Sequence, residues 1–488
     1  GSVSTGRGSR MAPRRPRRTH GLPGTLGMTL LAALFPGSGY LYAGRRLLGA
    51  VVLVGWLAVV ATAVWYVGLR GTTATLEFAF DPTRLKIAAL VIGLALLTWA
   101  FVVFTSYRLV RPRHRPRWHT VLGNLAVAVL CLSVAAPSWL AARASLAHAD
   151  AISSVFDDDN NESATTPRNV SKEDPWGGED RVNVLLLGGD GGEDRTGVRT
   201  DTVIVLSMNT KTGRTAMFSL PRNMMNAQFP QHSPLHDLYP DGYSGYEDDG
   251  FYMLNAIYGQ IPERHPGVLG DSDNEGADAL KQAVGGSLGI PVHYYVLVNL
   301  AGFREIVDAL GGVTVNINEP VAINGNTDAG IPPTDYLDPG PNQHLDGFEA
   351  LWFSRGRYGS DDYERMERQR CMIDAIIEAA NPVNLFRRYT DLAAAGQEIV
   401  FTDIPLELAP AFVKLALKVK DAKIKSVVFR SSEKFNSGDP DFDYMRDTVQ
   451  KTLHPPARKP GAKPHSEAVE PVDVCAYNPD DDIVEASE

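Results

Sequence analysis

Residues 182–201 read Val182-Asn183-Val184-Leu185-Leu186-Leu187-Gly188-Gly189-Asp190-Gly191-Gly192-Glu193-Asp194-Arg195-Thr196-Gly197-Val198-Arg199-Thr200-Asp201. The opening apolar run has strand length and is nearly continuous, as expected of a central strand buried on both faces. A glycine-rich loop at the carboxyl end of such a strand is where open α/β sheets bind ligands. The loop lacks the Gly-Lys-Ser/Thr ending of a phosphate-cradling P-loop, which disfavours nucleotide binding of that kind. It interleaves carboxylates with arginines instead. Asp190 and Asp201 are candidate ligands for one hard cation, because Mg²⁺ takes one or two carboxylates together with substrate phosphates. The same residues would also serve in a solvated turn with surface ion pairs.

Outward from this stretch the pattern stays mixed. Thr202–Met208 and Arg214–Leu220 read as strands, as do Val292–Val298, Val313–Ile317 and a closing Ile424–Phe429. Helical periodicity marks Gly276–Gly285, Gly302–Leu310, Glu349–Trp352, Asp362–Ala380 and Pro405–Val419. Strands alternating with helices predict a layered α/β domain, a sheet with helices on both faces, over residues 181–454.

The charge balance separates this part from what precedes it. The 488 residues carry a formal charge of −10. Residues 1–149 hold 17 Lys and Arg against only Glu77 and Asp81, a net +15, so the remainder carries −25. A uniform globular enzyme is excluded, as is a nucleic-acid binder working through overall charge. Three uncharged stretches, Leu47–Gly68, Ile87–Tyr107 and Val121–Ala142, each have the roughly 20 apolar residues that cross a hydrocarbon core. A fourth, Gly21–Gly44, is interrupted by Pro36-Gly37-Ser38-Gly39 and reads as re-entrant or interfacial. Arginines cluster before Leu47 and again over Arg108–His119, and short basic loops stay cytoplasmic. Three crossings therefore put both clusters inside and all that follows Ala142 outside. The expected order is a basic cytoplasmic segment (1–20), a transmembrane domain (21–145), an acidic flexible linker (146–180), the α/β domain and a flexible tail (455–488).

Two further groups of residues carry chemistry. Ser219-Leu220-Pro221-Arg222-Asn223 ends the third strand. Arg355-Gly356-Arg357-Tyr358-Gly359-Ser360-Asp361-Asp362-Tyr363-Glu364-Arg365-Met366-Glu367-Arg368-Gln369-Arg370 is richer. Arg355 and Arg357, two apart on a segment read as extended, point the same way. Asp362, Arg365 and Gln369 share a helix face, with Arg368 beside them. Guanidiniums gathered this way repel unless an anion lies between them, and arginine's donor fork suits phosphate oxygens. The other reading is a helix laced with Glu–Arg pairs through Glu364 and Glu367.

Taken together, Asn183–Asp201, Ser219–Arg222, Leu254-Asn255-Ala256, Gly311-Gly312-Val313, Leu345-Asp346-Gly347 with Ala350-Leu351, and Arg355–Gln369 resemble the LytR–CpsA–Psr (LCP) family of envelope glycopolymer ligases. The resemblance spans about residues 181–430. It implies an extracytoplasmic α/β/α domain with a central mixed sheet. That domain would take a glycopolymer phosphate from a polyprenyl-pyrophosphate carrier and transfer it to peptidoglycan with Mg²⁺. It further implies that Asp190 and Asp201 hold the metal and that Arg199, Arg222, Arg355, Arg357, Arg365 and Arg368 bind the pyrophosphate. Asp362 and Gln369 belong to the same block. An apolar groove for the polyprenyl chain is also implied, but periodicity does not locate it. The family usually reads Pro-Arg-Asp where this chain has Pro221-Arg222-Asn223. Asp194 and Asp362 are the candidates for the base that deprotonates the acceptor. Phosphoryl transfer needs mainly positioning and electrostatic stabilisation, which a cation and several arginines supply.

Gly285-Gly286-Ser287-Leu288-Gly289 matches a nucleophile-elbow pattern but follows a helix and runs into Ile290-Pro291, so it reads as a helix end and turn. Cys371 and Cys475 both fall outside the membrane on this topology and either pair, pinning the tail to the arginine helix, or remain thiols. Two other functions stay open: a non-enzymatic lipid-phosphate sensor or scaffold, and a polyprenyl-pyrophosphate phosphohydrolase that uses water as acceptor.

Overall fold

The computed structural model describes residues 18–68, 78–113, 116–155, 163–189, 200–325, 327, 330–380, 400–455 and 473–478. The chain divides into two compact units, Gly1–Ala149 and Asp150–Glu488.

The first unit is helical. Arg46–Gly68, Pro82–Val110 and Arg117–Val155 contain the three helices long and apolar enough to cross a membrane. Gly21–Leu34 has 14 residues and rises only about 21 Å at 1.5 Å per residue, short of a hydrocarbon core of roughly 30 Å. It ends where Pro36 meets Gly37, whose φ of 107° is open to glycine but costly for other residues. A Cβ there would also meet the Gly49 carbonyl at 2.5 Å. The chain then turns into the short helix Ser38–Tyr42. Both pieces are fastened to Pro82–Val110: the Trp99 indole donates to the Ala33 carbonyl at 2.9 Å, and the Tyr40 and Thr105 hydroxyls share a hydrogen bond. The last long helix continues past Ala142 to Val155, with Pro137 inside it. It thus takes in the first part of the stretch expected to be linker.

The second unit is built on a six-stranded mixed sheet. Its strands are β1 (Arg181–Gly189), β2 (Thr200–Asn209), β3 (Thr215–Ser219), β4 (Tyr294–Asn299), β9 (Val400–Thr402) and β10 (Ile424–Val428), in the order β10-β3-β2-β1-β4-β9. β1 is central, antiparallel to β2 and parallel to β4. Its side chains alternate between two environments. Leu185 and Leu187 join the largest core cluster, against the helix Glu275–Leu288. Val182 and Val184 pack with Leu408, Leu415 and Val419 on the opposite face, at one end of the sheet. A smaller cluster unites the helices Gly347–Arg355 and Asp362–Ala379 with β5 (Val313–Ile317), β6 (Val321–Ile323), β7 (Asp335–Leu337) and β8 (Gly340–Leu345). β6, β7 and β8 were not foreseen: two of them have three residues, too few to show a period.

The stretch expected to be a flexible linker is structured in its described part. Lys281, fully buried, pairs with the buried carboxylates of Asp278 and Asp403. Ser163 and Thr165 donate to Asp278 at 2.6 and 2.7 Å, and Thr166 donates to Asp403 at 2.9 Å. Val170 and Trp176 add apolar contact to the core. Composition alone hides this, because the partners are polar and lie over a hundred residues away.

At the other end of the chain Cys371 and Cys475 form a disulfide with Cα atoms 5.4 Å apart. The bridge seats the tail beside β5, where Asn316 donates to the Cys475 carbonyl at 2.8 Å and Asn318 to that of Ala476 at 3.1 Å. Residues 456–472 and 479–488 of the expected flexible tail lie outside the described residues.

Candidate functional site

Each arginine-bearing helix starts on a locally encoded cap. Asp346 with Glu349, and Asp361 with Glu364, close reciprocal capping boxes, each carboxylate accepting from the other residue's backbone N–H. Glu364 is thereby occupied in capping, and Glu367 pairs with Arg430 at 3.1 Å. The alternative of a helix laced with its own Glu–Arg pairs is not what forms.

The helix Asp362–Ala379 lies across one face of the sheet and closes a cavity of about 430 Å³. Leu186, Leu206, Val296 and Val298 form its sheet side, and Met372, Ile373, Ile376 and Ile377 its helix side. Asp201, Arg355, Arg357, Arg365 and Gln369 line it too, alongside Trp352 and Phe303. An apolar interior thus leads to a charged mouth.

The mouth is organised by one carboxylate. Asp362 Oδ1 lies 2.9 Å from Arg365, 3.4 Å from Arg222 and 4.0 Å from Arg357. Arg222 also pairs with Asp201 at 2.5 Å, and Arg365 donates to the Asp201 backbone carbonyl at 3.2 Å. Arg365 is only 2% exposed. Burial is the main influence on it and pushes its pKa down to about 10, with Asp362 opposing the shift and Arg222 adding to it. The guanidinium remains charged at neutral pH. Two buried groups here have no hydrogen-bond partner among the described residues: Asp362 Oδ2, an acceptor, and Arg365 Nε, a donor. Orphaned buried polar atoms at a charged mouth mark a place where a ligand supplies what the protein does not.

The predicted residues separate as follows. Arg355, Arg357, Arg365, Gln369 and Asp201 meet at the cavity, and Arg222 and Asp362 are tied to them by ion pairs. Arg355 and Arg357 converge for a different reason than supposed: Arg355 ends the helix Gly347–Arg355 rather than lying on an extended segment. Arg368 does not line the cavity. It is half-committed to backbone, donating through Nε to the Phe353 carbonyl at 2.9 Å and through its terminal nitrogen to the Gly356 carbonyl. It therefore braces the turn that presents Arg355 and Arg357. Gln369 donates to the Ser354 carbonyl at 3.2 Å. Asn223 is exposed. Asp190, Asp194 and Arg199 lie outside the described residues. Among the described residues no group of three or more His, Cys, Asp or Glu is placed to hold a metal.

Gly285–Gly289 is a helix end as expected: Gly289 adopts φ 71° and its N–H bonds to the Gly285 carbonyl, while Ser287 is buried and accepts from the Gln228 N–H. What the sequence did not reveal was the apolar cavity and Trp352 at its edge. Lining and core use the same residue types at the same spacings, so neither leaves a separate mark.

A sequence model of the LytR_cpsA_psr family matches residues 147–454. Among named relatives, the polyisoprenyl-teichoic acid–peptidoglycan teichoic acid transferase TagU of Enterococcus faecalis is 30% identical over 259 residues, which is 52% of this chain and 69% of that protein. The protein of the same name from Bacillus mycoides is 30% identical over 238 residues, 48% of this chain and 62% of its own length. Two solved structures, protein gbs0355 of Streptococcus agalactiae and TagV of B. subtilis, share 24% and 22% identity with TM-scores of 0.42 and 0.40. They cover 58% and 56% of this chain, and 91% and 97% of their own.

Proposed function

The chain belongs to the LytR_cpsA_psr family, and from that premise we propose a membrane-anchored phosphotransferase that moves a glycopolymer phosphate from a polyprenyl-pyrophosphate carrier onto peptidoglycan. The observation that carries the reading is the cavity's division into an apolar interior and an arginine mouth, which matches a ligand with a hydrocarbon tail and a diphosphate head. The named relatives act on polyisoprenyl-linked teichoic acid and peptidoglycan. In this reading the three long apolar helices serve as the anchor, and the arginine-rich flanks favour a catalytic domain outside the cell. A tethered enzyme then meets its lipid-borne donor at high effective concentration.

In this reaction an acceptor hydroxyl gives its proton to a carboxylate base, for which Asp194 is the remaining candidate, and its oxygen bonds to the glycan-side phosphorus. The bond from that phosphorus to the bridging oxygen breaks, and polyprenyl phosphate leaves with the electron pair. Negative charge grows on the nonbridging and leaving oxygens. Arg365 and Arg222, held by Asp362, and Arg357 and Arg355 beside them, supply donors that are already in place and need little reorganisation. Asp362 spends one oxygen on three guanidiniums, which fits it for gathering them and ill fits it for taking the acceptor's proton. Mg²⁺ suits the hard oxygen donors here: Asp201 would hold it with Asp190, and the orphan Oδ2 of Asp362 is a further anionic oxygen at the mouth. Bound there, the cation would neutralise charge on the diphosphate.

The test uses the full chain in detergent with a labelled polyprenyl-pyrophosphate glycopolymer, isolated peptidoglycan and Mg²⁺ or EDTA. Label transferred to peptidoglycan only with Mg²⁺ is the expected result. Released phosphate with no adduct would identify a phosphohydrolase, and retained donor without turnover a sensor; either would overturn the proposal.

A further inference from the structure

The arginines at and beside the mouth divide into two kinds. Arg222, Arg357 and Arg365 share the carboxylates of Asp201 and Asp362. Arg304 and Arg355, by contrast, have no ion-pair partner among the described residues, and each lies over an aromatic ring. Arg304 Cζ is 5.4 Å from the Phe348 ring centroid, and Arg355 Cζ is 5.0 Å from that of Trp352. The two rings are 6.4 Å apart. Phe348, Trp352 and Arg355 stand at i, i+4 and i+7 and so share one face of the helix Gly347–Arg355. Arg304 reaches them from the neighbouring helix Leu300–Leu310.

No carboxylate near this row pairs with either arginine among the described residues. Asp308 accepts from the Gly347 N–H at 2.7 Å, and Asp346 and Glu349 close their capping box. Two guanidiniums without an ion-pair partner among the described residues therefore lie over ring faces, and stacking leaves the edge N–H groups free to reach an anion. The row begins at the cavity's lip with Trp352 and Arg355 and continues to Phe348 and Arg304, both exposed and outside the cavity lining.

We propose that Trp352, Phe348 and Arg304, running outward from Arg355 at the lip, form a subsite for the anionic glycan portion of the donor, with sugars on the rings and a chain phosphate on Arg304. This rests on the mouth being the pyrophosphate site. The row would then discriminate in favour of donors whose polymer is itself charged. A neutral glycan offers the rings a partner but leaves Arg304 without one.

The experiment takes the full chain in detergent micelles and measures binding of a hexameric glycerol-phosphate oligomer that carries neither lipid nor pyrophosphate, against neutral maltohexaose. The wild-type chain is expected to bind the phosphate oligomer and not the neutral one. Arg304→Ala should weaken that binding about tenfold, and Arg304→Met, which keeps an apolar stem over Phe348, should do the same at an unchanged melting temperature. In the transfer reaction the same variants should raise KM for a polymeric donor and leave kcat, and all kinetics on a single-sugar donor, as in wild type. Equal binding of the two oligomers, none of either, or equal damage on both donors would overturn the subsite. Oligomer binding is read without turnover, so a chain that failed to transfer would sink the proposed reaction and leave this result to stand alone.

Discussion

Removing the Arg365 guanidinium is the sharpest test of how the mouth works. The side chain is buried, gives one bond to Asp362 and one to the Asp201 carbonyl, and carries an orphan Nε. In Arg365→Ala, Asp362 keeps Arg222 at 3.4 Å and remains partly hydrated at 24% side-chain exposure, so no carboxylate is left isolated. The folding cost should stay at about 1.5–3 kcal/mol, near that of a lost charged hydrogen bond. The cost to turnover should be much larger. By analogy with deleting one prearranged oxyanion donor, it is about 2.7–4 kcal/mol of barrier, or roughly 10²–10³ in rate. Arg365→Lys should fall between, because an ammonium replaces the charge but not the planar fork that joins Asp362, the carbonyl and a phosphate. The assay is single-turnover transfer from a labelled lipid-pyrophosphate donor, with melting curves as the control for folding. Turnover within threefold of wild type in Arg365→Ala, with the fold intact, would refute the electrostatic account. Because the pKa of Arg365 is pushed down only to about 10, its loss of charge should not depress the rate below about pH 9.

Three further outcomes concern the frame. Cys371→Ser with Cys475→Ser opens a cross-link between residues 104 apart, and thermal melting with and without reductant should show about 2–4 kcal/mol lost; an unchanged midpoint would mean the tail contributes nothing. Lys281→Met strands two buried carboxylates and should cost about 3–5 kcal/mol in denaturant unfolding, a loss that Asp278→Asn in the same chain should partly restore. Burial pushes Asp278 up, but Lys281 and the hydroxyls of Ser163, Thr165 and Ser272 outweigh it and hold the group below its ordinary 3.8. Its contribution is therefore complete above that value and lost as pH falls below it through the folded pKa. Acid titration of stability should be shallower in Asp278→Asn; an identical curve would exclude this carboxylate as a source.

Much of the fold is legible in local chemistry. The run Val182–Leu187 cannot be exposed without stranding its apolar side chains, so it becomes the central strand β1. The uncharged stretches of the first unit are read directly because a hydrocarbon core imposes length and polarity at once. Asp-x-x-Glu at Asp361 and Asp346 fixes where two helices start. The arginines were identifiable as a group because several fixed charges on one short segment require a counter-ion.

What tertiary structure alone decided are the partners and the empty space. Asp362 as the hub of Arg222, Arg357 and Arg365 depends on Arg222, just past β3, meeting the start of the helix Asp362–Ala379, although they are separated by well over a hundred residues. Arg368 looked equivalent to Arg365 by sequence and was turned away to brace backbone carbonyls, since three residues along a helix change which neighbour a side chain meets. The cavity arises where Leu186 and Leu206 are left uncovered by the helix that buries Leu185 from the other side. Apolar residues around a void and around a packed core obey one pattern, because water drives both from solvent alike; only the placement of the opposite wall distinguishes them.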